Sequence, residues 1–546
     1  MRSVDLASTA AFLLDVPTPH QSQGIARRDV VKKGDKYGAL SIIGLNDFHG
    51  QLDQTQTPSD TLTANVGGAS QLATMFDEEA NRLPGRTLLL AAGDNVGASP
   101  PNSALLQDTP AIDVENAWGL DATSFGNHEF DFGIPRILQH EARANFPFLS
   151  ANIVDANTGE YPDFVKPSTV FTVNGTRVGV IGATVKTTPE LVSAGNTAGL
   201  AFLDEATRIK QESQALRARG VKVQVVVIHE GATLGANRVD GLPAAAWDGP
   251  IKGIVNALQD TTIDLVVAGH THRIANFVQG HIPVVEGVNA GGSYSVAQLL
   301  LRGDDVAWAG TATRVAKNLG VAQRPDVQAI VDQANADTAV LRNQVIGTQS
   351  VDLLRDPARL HESNMGNLVA DAMRAKYPEA EAAITNSGGL RQDIRGTPPS
   401  AGEAVNEITF GEMSAVLPFG NQTVLETLTG ANLVTALTNG FSPVCNPLVA
   451  TGRFPQVSGL KITFHCNGTT AVVDSILKGT TPVGPTDTVR FVTNDFMYTG
   501  GDGYTAFALG TDVQFKGDLL LDVAIDYVGA HSPVAPAIEG RTIRTP

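Results

Sequence analysis

The chain is expected to fold as two α/β domains, and three features of its 546 residues carry that expectation. The length exceeds what one hydrophobic core usually supports. Between Tyr37 and about Val315, apolar β-branched runs alternate with helical stretches, the pattern of a largely parallel sheet covered by helices. Several of those runs end in side chains that ligate metals, which puts the ligands beyond strand carboxyl ends, in the crevice where open α/β sheets bind.

In chain order, residues 1–38 are polar, contain Pro17, Pro19 and the basic cluster Arg27, Arg28, Lys32 and Lys33, and read as a disordered leader or a degenerate export signal. Leu6 to Leu14 has the length of a signal's apolar segment, but Asp5 and Asp15 flank it. Over 39–320, runs such as Ala39 to Leu45, Leu88 to Ala92, Val223 to Ile228 and Ile263 to Ala268 read as strands. Ala69 to Arg82, Glu205 to Arg219 and Ile251 to Leu258 read as helices between them. Residues 321–345 place Val327, Ile330, Val331, Ala334 and Leu341 at helical spacing and predict a connector helix. A second α/β region, 346–546, opens on a helix around Met365 to Lys376.

Composition narrows the function. A net charge of −17 argues against binding nucleic-acid polymers, which depends on Lys and Arg neutralising phosphates, and an anionic substrate would need local positive charge. No apolar run approaches the ~20 residues of a transmembrane helix. Cys445 and Cys466 are too few for a disulfide scaffold or a thiolate zinc site; one disulfide and two buried thiols are equally consistent with the sequence.

The chemistry is concentrated in Asp47-Phe48-His49, Gly93-Asp94-Asn95, Gly126-Asn127-His128-Glu129, His229-Glu230 and Gly269-His270-Thr271-His272. One Asp or His at a strand end is usually a turn cap. Five of the eleven histidines within these strings make a metal centre the better reading, while His20, His140, His281, His361, His465 and His531 read as structural. Mixed oxygen and nitrogen ligands suit Zn, Mn, Fe or Co. A carboxylate such as Asp94 can bridge two cations that together clamp a phosphoryl displacement.

Asn46-Asp47-Phe48-His49-Gly50 and the four strings that follow it resemble the calcineurin-like metallophosphoesterases, and their order and spacing resemble the 5′-nucleotidase and UDP-sugar hydrolase branch. The likeness continues through Asn364-Met365-Gly366-Asn367, Asn386 to Arg391, Leu417-Pro418-Phe419-Gly420, Asn494-Asp495-Phe496 and Gly500 to Tyr504. It implies a four-layer α/β/β/α sandwich in the first domain and an α/β nucleotide-binding second domain. It implies one divalent ion on Asp47, His49, Asp94 and His272, and a second on Asp94, Asn127, His229 and His270. His128 matches the family's catalytic histidine, which Asp131 would orient and hold protonated. A metal-activated water would be the nucleophile.

In the second domain, the resemblance assigns Arg359, Asn386 and Arg391 to the nucleotide's phosphate or ribose, with Arg395 as a rival to Arg391. Phe419 and Phe496 would sandwich the base, and Asp502 would accept a ribose hydroxyl; from the residues alone both rings read as core. The implied activity is hydrolysis of nucleoside 5′-monophosphates to nucleoside and phosphate, with nucleotide di- and triphosphates and UDP-sugars as further substrates, outside the cytoplasm. A 2′,3′-cyclic-nucleotide phosphodiesterase with 3′-nucleotidase activity shares most of these motifs. A non-catalytic nucleotide-binding surface protein would be expected to have lost ligands, and none is missing.

Overall fold

The computed structural model describes residues 37–56, 65–82, 87–232, 247–302, 305–397, 403–447, 449 and 451–546. The expected leader lies almost entirely outside them. Two compact units emerge. The first runs to Asn335 apart from Pro100–Leu105 and Pro189–Gly195, and the second comprises those two segments and Ala336–Pro546. The helix Pro325–Arg342 occupies the stretch predicted as a connector.

Two six-stranded sheets build the first unit. In one, Tyr37–Leu45 lies parallel to Thr87–Ala91, which is parallel to Ala122–Ser124, and Ser293–Arg302 and Asp305–Val315 extend the other edge. In the other, Thr176–Thr184, Val223–His229 and Ile263–Ala268 run parallel. Side chains two apart along a strand share a face, and the core divides accordingly. Leu40, Ile42, Leu88 and Leu90 of one sheet meet Val225, Val227, Leu265 and Val267 of the other. On the far face of the second sheet, Val226, Ile228, Val266 and Ala268 pack with Ile209 and Leu216 of helix Glu205–Ala218 and Ile251 and Val255 of helix Pro250–Ala257. Strand Val223–His229 is buried throughout, which is why Val225 to Ile228 is a continuous apolar run rather than an alternation. Helix Ala69–Ala80 and Trp118 cover the first sheet, with Phe76 edge-on to Trp118 at 5.3 Å. The layers are helix, sheet, sheet, helix, as expected.

The second unit carries a five-stranded sheet in the order Pro455–Ser458, Ala382–Asn386, Thr488–Asn494, Gln422–Thr429, Thr511–Leu519. Helices Asn364–Lys376 and Leu520–His531 share one core with it, and helix Gly430–Cys445 another. The two cysteines form a disulfide that ties the end of helix Gly430–Cys445 to strand Leu460–Asn467, Cα to Cα 5.4 Å, and no cysteine is free.

Glu426 departs from the core rule. It is fully buried in strand Gln422–Thr429, and neither carboxylate oxygen accepts a hydrogen bond. Burial pushes its pKa up to about 8, only partly offset by Arg490. A carboxyl group whose folded value is raised loses stability for the fold as pH climbs from its unfolded value, near 4.5, to about 8. Glu426→Gln lacks that ionisation. It is expected to match the wild type in thermal melts at pH 4.5 and to exceed it by up to roughly 5 kcal/mol at pH 9. A gap that is independent of pH would show that the carboxylate is stabilised by other means.

Candidate metal centre

The sheets place their parallel strands' carboxyl ends together, and the predicted ligands stand there. Asp47 and His49 follow Tyr37–Leu45, Asp94 follows Thr87–Ala91, and Asn127 and His128 follow Ala122–Ser124. From the second sheet come His229, the last residue of its strand, and His270 and His272, just past Ile263–Ala268. Phe48 points the other way, fully buried and 4.9 Å from Trp118, and so anchors the loop between two candidate ligands.

Two candidate ligand groups result. Asp47, His49 and His272 bring their donor atoms within 4.8 Å of one another, and so do Asp94, His229 and His270. Asp94 also reaches toward the other group: its Oδ2 is 3.0 Å from His229 Nε2 and 3.9 Å from His49 Nε2. Asn127 Oδ1 lies 3.2 Å from His229 Nε2. His128 belongs to neither group; its Nδ1 is 2.8 Å from Asp131 Oδ2, and its ring Nε2 stands 4.0 Å from Asp94 Oδ2.

The donor set fits cations. His49 Nδ1 lies 2.8 Å from the Gly97 carbonyl and His229 Nδ1 2.8 Å from that of Ala92, and a carbonyl can only accept. Both rings therefore donate from Nδ1 and turn Nε2 into the centre, the tautomer that a metal-ligating histidine needs. Burial pushes His49 down to about 3, and burial with the charge of His229 does the same to His270. Burial opposes ionisation of Asp47 and Asp94, yet His272 holds the first below the usual carboxylate range and His229 the second. Asp94 in turn lifts His229 to about 10 against the effect of burial. Two carboxylates are thus kept anionic among imidazoles, and divalent ions would answer that charge.

Backbone conformation marks the same residues. Asp47, His49, Asp94, His270 and His272 all have φ between 50° and 75°, as do Arg359 and Asp502. Together they are seven of the fourteen non-glycine residues with positive φ among those described. Each such residue costs on the order of 1–3 kcal/mol and persists where surrounding structure over-determines it, typically at functional sites.

In the second unit, the predicted nucleotide residues converge in part. Asn386 Nδ2 donates to Asp502 Oδ2 at 2.7 Å, and Arg391 stands 5.6 Å over the Phe419 ring. Burial together with the like charges of Arg391 and Arg355 pushes Arg359 down to about 9, so it remains cationic at neutral pH. Arg395 is turned elsewhere, toward Asp352 and Asp393, and is 54% exposed. Phe419 and Phe496 are half-buried rather than core, and Phe496 has Gly501 against one side, where an added methyl would lie 2.3 Å from the ring. Two residues without a role in the sequence reading stand beside these groups, one in each unit. In the first, Asn46 donates to Asp47 Oδ2 at 2.7 Å and exchanges two hydrogen bonds with the Gly287 backbone, 2.8 and 2.9 Å; in the second, the charge of Arg355 acts on Arg359 while its Nε is 3.5 Å from Asp393.

Comparison with known proteins agrees with this geometry. Residues 40–274 match the family model for the calcineurin-like phosphoesterase, and residues 345–509 that for the 5′-nucleotidase C-terminal domain. The chain is similar to the cell wall protein Lmo0130 of Listeria monocytogenes, 31% identical over 92% of this chain and 69% of that one. It is similar to the 5′-nucleotidase of Bos taurus, 26% identical over 92% and 90%. Among solved structures, a 5′-nucleotidase precursor from Thermus thermophilus superposes with a TM-score of 0.77 at 25% identity, covering 93% of this chain and 99% of that one.

Proposed function

Since this chain belongs to the 5′-nucleotidase family of calcineurin-like phosphoesterases, phosphoric monoester hydrolases, we propose that it hydrolyses nucleoside 5′-monophosphates at a dinuclear centre, with nucleotide di- and triphosphates and UDP-sugars as further substrates. The observation that carries the reading is the pair of ligand groups with Asp94 between them and His128 outside both. One ion would be held by Asp47, His49, Asp94 and His272, the other by Asp94, Asn127, His229 and His270. Two divalent ions, Zn, Mn, Co or Fe by donor chemistry, would lower the pKa of the attacking water and neutralise charge on the phosphoryl group. His128, fixed by Asp131, would donate to the charge developing as the ester bond breaks. Arg359 and Arg391 would meet an anionic group of the substrate, because clustered guanidinium charges are relieved by an oxyanion. Asp502, oriented by Asn386, would accept a ribose hydroxyl.

The disulfide supports a location outside the cytoplasm, as does similarity to a cell wall protein, and no described helix is long and apolar enough to cross a membrane. Phosphate release from AMP, ATP, UDP-glucose and 2′,3′-cyclic AMP, measured after chelation and again after metals are restored, tests the reading. AMP should be the best substrate, and only with metal. Turnover of the cyclic nucleotide without AMP would assign the chain to the phosphodiesterase branch instead.

Base recognition can be tested separately. If Phe419 and Phe496 sandwich the base, removing either ring should forfeit ~1–3 kcal/mol of stacking, about ten- to a hundredfold in apparent affinity for AMP. Phe419→Ala and Phe496→Ala should still cleave p-nitrophenyl phosphate, which has no base, at nearly the wild-type rate. A parallel loss on both substrates with a lowered melting temperature would return these rings to a packing role.

A further inference from the structure

Two carboxylates that belong to neither ligand group sit directly behind them. Glu129, 2% exposed, accepts from backbone amides on two loops: Oε2 from Asp94 N at 3.1 Å and from Gly126 N, and Oε1 from Asn95 N at 2.9 Å. Glu286, fully buried at the end of strand Ile282–Glu286, does the same for loops of the other sheet. Its Oε2 accepts from Ala232 N at 3.1 Å, and its Oε1 from the Thr271 hydroxyl and, at 3.4 Å, Arg273 N.

These loops lie past the strand ends, where no β-ladder joins one to the next. They also approach too closely for side chains: a methyl on Gly126 would fall 2.1 Å from Asp94 Oδ1, and one on Gly231 2.3 Å from the Gly269 carbonyl oxygen. Asp94, His270 and His272, whose left-handed backbones need outside support, are on or beside the tethered segments. We propose that Glu129 and Glu286 are positioning residues of the metal centre, each stapling two ligand-bearing loops so that the ligand side chains are held in place for cations. Glu129 joins the loop of Asp94 to that of Asn127 and His128, and Glu286 joins the segment after His229 to that of His270 and His272.

Only a carboxylate can do this. Its two oxygens accept from three donors, whereas the amide of a glutamine, identical in shape, offers one oxygen and turns an NH₂ group toward the loop amides. The inference rests on reading the two ligand groups as metal sites.

The test is a Mn²⁺ titration of the metal-free full-length protein, followed by electron paramagnetic resonance of the free ion, with thermal melts of the same metal-free samples. Glu129→Gln and Glu286→Gln should each bind Mn²⁺ about 10- to 100-fold more weakly, the usual loss when a group supporting a ligand is removed, while melting close to the wild type. Glu426→Gln, a buried carboxylate of the second unit, should bind as the wild type does. If a glutamine variant does not fold, Glu129→Asp or Glu286→Asp, which keeps the carboxyl group but withdraws its oxygens by one methylene, should show the same weakening. Wild-type Mn²⁺ affinity in a folded variant, or a lowered melting temperature with affinity unchanged, would overturn the proposal and leave the metal reading intact. A wild-type protein that binds no Mn²⁺ would overturn both.

Discussion

Asp94→Ala is expected to empty both ligand groups and to lower kcat/KM on AMP by at least on the order of 10³, several kcal/mol of transition-state stabilisation. The expectation comes from position: one oxygen of Asp94 is 3.0 Å from His229 and 3.9 Å from His49, and the other accepts the His128 amide at 2.8 Å. Asp47 differs in kind: the His272 ring is 3.4 Å from its Oδ1, but what it takes from His270 of the other group is the backbone amide, at 3.0 Å. Replacing His272, which belongs to one group only, should by contrast weaken chiefly that site and leave the second ion in place. Metal content by mass spectrometry after dialysis, set beside circular dichroism to verify folding, separates the two cases. A wild-type protein that stays fully active after exhaustive chelation would refute the dinuclear reading.

That these side chains stand together was legible in the sequence because strand ends are. A run such as Val225 to Ile228 is apolar for the same reason that its strand is buried on both faces, and the change to His229 marks where the sheet stops. Glu286 ends the run Ile282 to Val285 in the same way, yet a lone glutamate after four apolar residues carried no signal without its loop partners. Nor could residue types show that Asp47, His49, Asp94, His270 and His272 adopt left-handed backbones, since that follows from how neighbouring loops crowd them. Arg391 and Arg395 are chemically identical, and only the fold turns one over Phe419 and the other toward Asp352 and Asp393. Likewise, Cys445 and Cys466 stand 21 positions apart, and that spacing does not say whether the end of a helix meets a strand.

His128→Ala is expected to keep its metals and lose its rate. The ring is excluded from both ligand groups, its backbone amide is tied to Asp94 Oδ1 at 2.8 Å, and Asp131 Oδ2 holds Nδ1 at 2.8 Å, which turns Nε2 toward the centre, 4.0 Å from Asp94 Oδ2. Groups that donate to charge developing in a transition state are worth ~2.7–4 kcal/mol, about 10²–10³ in kcat, because they act in a preorganised site shielded from water. The loss should fall on kcat with little change in KM, since the interaction strengthens only as the ester bond breaks. Asp131→Asn should give a smaller loss in the same direction, because an amide can still contact Nδ1 but no longer supplies the charge that favours a donating imidazole. Metal analysis alongside the kinetics decides between roles. If His128→Ala loses an ion together with its rate, His128 is a ligand and the transition-state donor must be sought elsewhere in the centre.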